Sequence, residues 1–61
     1  MTQIWLAVDE DGMEKISNGL LVREDGYWAS AYDYFLLPEG SIEKLIGHKL
    51  TWEDDAVMVE G

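Results

Sequence analysis

The residues best suited to chemistry in this chain are its acids and one imidazole. The acids gather in three words, Asp9-Glu10-Asp11, Glu24-Asp25 and Glu53-Asp54-Asp55, and His48 is the only histidine. Two of these words recur in nearly the same setting, Val-Asp-Glu-Asp-Gly at 8–12 and Val-Arg-Glu-Asp-Gly at 22–26. A calcium loop needs oxygen ligands at alternate positions, glycine at the sixth and a bidentate glutamate at the twelfth. Here Gly12 arrives at the fourth position and Leu20 stands at the twelfth, and the second copy fits no better. Three consecutive acids at Glu53–Asp55 cannot all face one ion without a special turn, so a solvated loop is expected there. Phosphate-cradling loops are absent, because the glycines stand singly with no lysine at the required spacing. A catalytic His48 would need a nucleophile and an orienting group, and Ser17, Ser30, Ser41 and Asp33 lie in no recognisable motif. Just past a helix end, such a histidine is expected to cap carbonyls or face solvent. The expectation is therefore no catalytic, cofactor or metal residue, and no enzyme.

The glycines have another use. Asp11-Gly12, Asn18-Gly19 and Asp25-Gly26 fall seven residues apart, and Asn-Gly and Asp-Gly are strong hairpin signals because type I′ turns need positive φ at both central residues. Gly12 and Gly26 are expected to take positive φ and bind nothing. Between the turns the chain alternates as strands do: Gln3–Val8 sets Ile4, Leu6 and Val8 against Trp5 and Ala7, and Met13–Ser17, Leu20–Arg23 and Tyr27–Phe35 are rich in branched and aromatic residues. Asn18-Gly19 is either a tight turn or part of a wider loop, and Tyr27–Phe35 is long enough to bend or break at Ala31–Asp33.

After Leu36-Leu37-Pro38-Glu39-Gly40 the grammar changes. Ser41 stands as a helix N-cap with Glu43 in the first turn, Ile42, Leu45 and Ile46 share one face, and Gly47 supplies the stop. Beyond this two-turn helix, residues 48–52 are expected to be extended or turn-like, and Ala56–Glu60 to form a last strand. The predicted fold is α+β: a small antiparallel β-meander of about four to five short strands, with the helix packed on one face through Ile42, Leu45 and Ile46.

With 61 residues and no cysteine, the chain has room for one domain, residues 1–61, and cannot be stapled by disulfides. A chain this small buries roughly 60% of its unfolded surface, so it depends on aromatic packing or association. The formal charge of −9 repels nucleic acid and anionic lipid and suits a basic protein surface. The longest apolar run, Ile4–Val8, is too short for a signal sequence or a membrane span, so the expected location is the cytoplasm.

The aromatic residues are more numerous than a small core requires. A thin sheet with one helix covers only one face well, which is expected to leave Trp5, Tyr27, Tyr32 or Tyr34 open to a protein partner or to a second copy of the chain. Acids offered as a face are Asp9, Glu10, Asp11, Glu24, Asp25, Glu53, Asp54 and Asp55. Should the fold bring them to one end, they would suit an inhibitor that imitates nucleic acid before a DNA- or RNA-handling protein.

The motifs Leu37-Pro38-x-Gly40-Ser41-Ile42, Leu45-Ile46-Gly47 and Leu50-Thr51-Trp52-Glu53-Asp54, with "IWLAVDEDG" at the front, resemble a group of short uncharacterised proteins encoded in bacterial genomes and in phages or prophages. That group has a basic residue at the position of His48 and a proline near Ala56. The resemblance implies a phage or mobile-element origin and brings no catalytic residue with it.

Overall fold

The computed structural model describes residues 3–60. The elements run β1 (Gln3–Val8), β2 (Glu14–Ser17), β3 (Leu21–Arg23), β4 (Trp28–Ser30), β5 (Tyr34–Leu37), α1 (Ser41–Ile46) and β6 (Val57–Glu60). The fold is mostly β, with antiparallel strands and one short helix. Sequence-consecutive hairpins explain only part of it. Four strands form a sheet in the order β5-β2-β1-β6, and β3 pairs with β4 in a separate two-stranded sheet. The chain thus leaves the main sheet after β2, makes a hairpin, and returns to the outer side of β2 as β5. This departs from a single meander, and it breaks Tyr27–Phe35 at Ala31–Asp33.

β1 lies inside the sheet, and its alternating apolar side chains are buried on both faces. Leu6 and Val8 face α1, joining Ile42 and Leu50 in one cluster with Ile4, Ile16, Leu37, Ile46, Val57 and Val59 around it. Ala7 faces the opposite way and meets Leu21 and Trp28 of the hairpin, with Trp5, Trp52 and Ala56 packed beside them. The molecule therefore has three layers. The second sheet face, expected to be poorly protected, is covered by β3–β4.

The turns follow the glycines, though not in the expected form. Gly12 and Gly26 have φ of +91° and +90°, while no other residue type takes positive φ among the described residues. Asp11 and Asp25 therefore stay at negative φ, which excludes type I′. At the first turn Gly12 N donates to Asp9 O and Asp9 N donates to Met13 O, each at 2.9 Å. This is a turn closed by one left-handed glycine, the geometry of a bulged hairpin loop. Asn18-Gly19 has no positive φ and belongs to the wider crossing between sheets. A Cβ on Gly19 would stand 2.0 Å from the Tyr32 ring, so glycine here makes room for an aromatic side chain.

The helix spans Ser41–Ile46 as expected and stops at Gly47, φ +87°. Its other details differ. Gly40 is the N-cap and contributes no side chain, while the Ser41 hydroxyl turns back to donate to Pro38 O. Leu45 is 62% exposed, whereas Ile42 is 1% exposed. At about 100° per residue, Ile46 lies some 40° to one side of Ile42 and Leu45 some 60° to the other. The sheet takes up the Ile42–Ile46 side, so Leu45 falls outside the core.

Candidate interaction surface

Two regions carry the residues singled out in the sequence: the end where the acidic turns lie, and the edge formed by β5. The turn end is built around a buried ion pair. Lys15 Nζ lies 3.2 Å from Asp9 Oδ2, with both side chains almost fully buried. Trp28 closes the arrangement. Its N–H donates to Asp9 Oδ1 at 2.8 Å, its carbonyl accepts from Lys15 Nζ at 2.8 Å, and its indole N–H donates to Val8 O at 3.0 Å. These bonds fasten the β3–β4 hairpin to the main sheet. Asp9 is consequently removed from the proposed acidic face, because its carboxylate is occupied inside the fold.

Glu14 is a second buried acid. Its carboxylate accepts from Gly40 N at 2.6 Å and from Ile42 N at 2.8 Å. It thus satisfies free donors at the start of α1 from a neighbouring strand, the task assigned in the sequence to Ser41. An acidic side chain there also complements the helix dipole. Among the described residues no buried side-chain polar atom lacks a partner.

Of the other acids, Asp11 accepts from Met13 N at 3.0 Å, and Asp54 closes its own loop by accepting from the N–H and hydroxyl of Thr51. Glu10, Glu24, Asp25, Glu53 and Asp55 remain exposed. The three acidic loops converge. Glu10 N donates to Gly26 O at 3.2 Å, joining the first loop to the second. Arg23 joins the second to the third: it donates to Trp52 O and Asp54 O at 2.7 and 2.8 Å. Its guanidinium stands 4.7 and 4.9 Å from the Trp28 and Trp52 rings, which themselves meet edge to face with centroids 6.1 Å apart. Glu10, Glu14, Glu39 and Glu53 line one open cleft of about 460 Å³, together with Lys49 and Trp52. No group of three or more acids or histidines is placed to hold a metal ion among the described residues.

The β5 edge is the apolar counterpart. Tyr34, Phe35 and Leu36 are all exposed, Phe35 by 70%, and Tyr32 and Tyr27 are exposed nearby in the sequence. Trp5 differs from these: it is partly buried against the Ala7–Leu21–Trp28 cluster, which withdraws it from the expected contact set. Phe35 also closes one side of an open hollow of about 270 Å³, shared with Ile4, Ile16, Ser17, Asn18 and Asp33. The hollow exists because α1 has six residues and covers the Leu6–Val8 end of the sheet, leaving the Ile4–Ile16 end uncovered. Phe35 and Leu36 were missed in the sequence as contact residues. The signal available was the uninterrupted apolar run Tyr34-Phe35-Leu36-Leu37, stopped by Pro38, which does not by itself distinguish an edge strand from an inner one.

His48 is exposed on the segment after α1 and makes no hydrogen bond to a serine among the described residues. The Ser17 and Ser30 hydroxyls are 2.9 Å apart, but Ser17 Oγ also accepts from Gly19 N and donates to Asp33 O. These bonds organise the crossing between the two sheets. No family model matches the chain, and comparison with curated proteins and with solved structures gives no match. No helix among the described residues is long and apolar enough to cross a membrane.

Proposed function

We propose that the protein is a small acidic non-enzymatic interaction module that binds another protein, or a second copy of itself, through the β5 edge. The observation that carries this is the exposure of Tyr34, Phe35 and Leu36 together on an edge strand, beside an apolar hollow. Isolated exposed apolar residues need no explanation, but an unpaired edge with exposed apolar side chains on both of its faces favours contact with another chain. The motif resemblance supports a phage or mobile-element origin.

A photo-cross-linking amino acid at position 35 is the direct test. Position 43, an exposed helix residue, is the control. Cross-linked adducts in a native host lysate that form from position 35 and not from 43, and that are lost on Tyr34→Ser, support the surface. Equal labelling from both positions, with a strict monomer in sedimentation at low and high salt, overturns it.

A second function is favoured by a separate observation, the convergence of the acidic loops at one end. It is inhibition of a DNA- or RNA-handling protein by imitation of nucleic acid. Such a complex would compete with DNA and loosen steeply with salt. Replacing Glu10, Glu24 and Glu53 by glutamine would abolish it, while Phe35→Ser would leave it intact.

A further inference from the structure

Backbone geometry at β5 narrows both the manner of binding and the chemistry of the partner. Antiparallel pairing alternates residues that exchange hydrogen bonds with residues that do not. Asn18 N donates to Asp33 O, and the register continues with Ser17 opposite Tyr34, Ile16 opposite Phe35, Lys15 opposite Leu36 and Glu14 opposite Leu37. Alternation from the Asn18–Asp33 pair turns the main-chain groups of Phe35 and Leu37 inward to β2. It turns the N–H and C=O groups of Tyr34 and Leu36 outward, away from the sheet. The same alternation holds one strand further in, where Asp9 N bonds Met13 O, so that β2 offers residues 14 and 16 to β5 and residues 13 and 15 to β1.

Natural sheets blunt such an edge with charges, bulges or an early proline. None of Tyr34–Leu37 is charged, and Pro38 follows the strand instead of interrupting it. The opposite edge of the sheet, β6, carries Glu60. An added strand at β5 would send alternate side chains to the two faces. One set would enter the hollow lined by Ile4, Ile16 and Phe35, where apolar side chains fit and Asp33 stands within reach of a cation. The other would pass Leu36 and Tyr34, whose ring lies 4.7 Å from the buried Lys15 Nζ, while exposed Asp33, which lines the hollow, and Glu39, just past the strand, supply negative charge at the two ends of β5.

Charge selects the occupant. The chain carries −9 with four cationic residues, and two of them are committed: Lys15 to Asp9, Arg23 to the carbonyls of Trp52 and Asp54. A second copy would set like charge against like charge, whereas a basic segment is drawn in. Resting on the protein-binding function proposed above, we infer that β5 accepts an extended basic segment of a partner, carrying both apolar and cationic residues, as an added antiparallel or parallel strand.

The probe is a capped heptapeptide of alternating valine and lysine, titrated into the isotope-labelled full chain. Binding is expected to slow amide exchange at Tyr34 and Leu36 roughly tenfold or more while leaving Phe35 unchanged, and to weaken roughly tenfold from low to high salt. The same peptide N-methylated on its pairing amides, and one with glutamate for lysine, should not bind. The inference is overturned by absence of binding, by equal binding of either control peptide, or by protection that omits Tyr34 and Leu36. It is also overturned if the free protein gains that protection with its own concentration, which would make a second copy the occupant. Failure here alongside specific cross-links from position 35 removes strand addition and keeps the β5 surface. Loss of the cross-links as well removes both.

Discussion

At the turn end, Asp9, Glu14 and Lys15 are buried in a small fold, and each has ionic or hydrogen-bonding partners. At the β5 edge, Tyr34, Phe35 and Leu36 are apolar and face solvent. The two regions use polarity in opposite ways. Charge at the turn end is structural: it joins the hairpin to the sheet and the sheet to the helix, where a core of this size has little apolar area to spare. Apolar surface at the edge does none of that joining. In this molecule the charged cluster and the proposed interaction surface therefore lie apart, and removing either should have separable effects.

The largest loss is expected at Lys15. Lys15→Ala leaves Asp9 buried without its cation and is expected to cost about 3–5 kcal/mol. At about 4–8 °C per kcal/mol for so small a domain, the thermal midpoint should fall by about 12–40 °C. Replacing the pair together, Asp9→Asn with Lys15→Met, keeps an acceptor for Trp28 N and should restore much of the loss. A melt of Lys15→Ala that overlays the parent would show that the pair does not join the layers.

Glu14 comes next. Glu14→Ala removes two charge-assisted bonds to the start of α1 and should cost about 2–3 kcal/mol in urea unfolding. Amide exchange in residues 42–46 should quicken more than in β1. Uniform quickening would mean that the carboxylate is not specific to the helix.

A smaller effect is expected at Gly19→Ala. The new methyl displaces the Tyr32 ring, which is already exposed, so the cost should stay near 1 kcal/mol or below. The ring resonances of Tyr32 should shift while those of Trp28 hold still. The smallest effect is at Leu45. Leu45→Ala should change stability by no more than about 0.5 kcal/mol, as for other exposed positions. A loss of several kcal/mol would place Leu45 in the core after all.

These cases also show how much was legible in the sequence. Gln3–Val8 and the bounds of the helix are local matters of alternation and capping glycines, and they could be seen there, whereas Tyr27–Phe35 was left open between a bend and a break. The positive φ of Gly12 and Gly26 followed from the same grammar. The lifting of β3–β4 onto the second face could not be seen, because strands that pair across a sheet and strands that pair away from it have the same alternation. The burial of Asp9, Glu14 and Lys15 was hidden for a related reason: they stand in or beside a turn word that looks solvated, and their partners lie far along the chain. Leu45 was misplaced because spacing assigns a helix stripe, while the packing angle decides which side of that stripe is covered. At the candidate surface, Tyr27, Tyr32 and Tyr34 were legible as surplus aromatics, whereas Phe35 and Leu36 needed the knowledge that β5 is an edge.

The pairing of β1 with β6 also has a kinetic consequence. Gln3 stands opposite Glu60, so this ladder closes a loop of nearly the whole described chain, while β1 and β2 meet across a single short turn. Closing the longer loop costs more chain entropy, and such non-local contacts slow folding. The β1–β2 hairpin is therefore expected to assemble early and β6 to dock late. Val59→Ala should then hasten unfolding and scarcely alter the folding rate in stopped-flow measurements. A folding rate that falls in step with stability would put β6 in the nucleus. With β6 still undocked, β1, an inner strand of the finished sheet, is itself an open edge, and this acidic chain is then expected to be at its most adhesive while it is still folding.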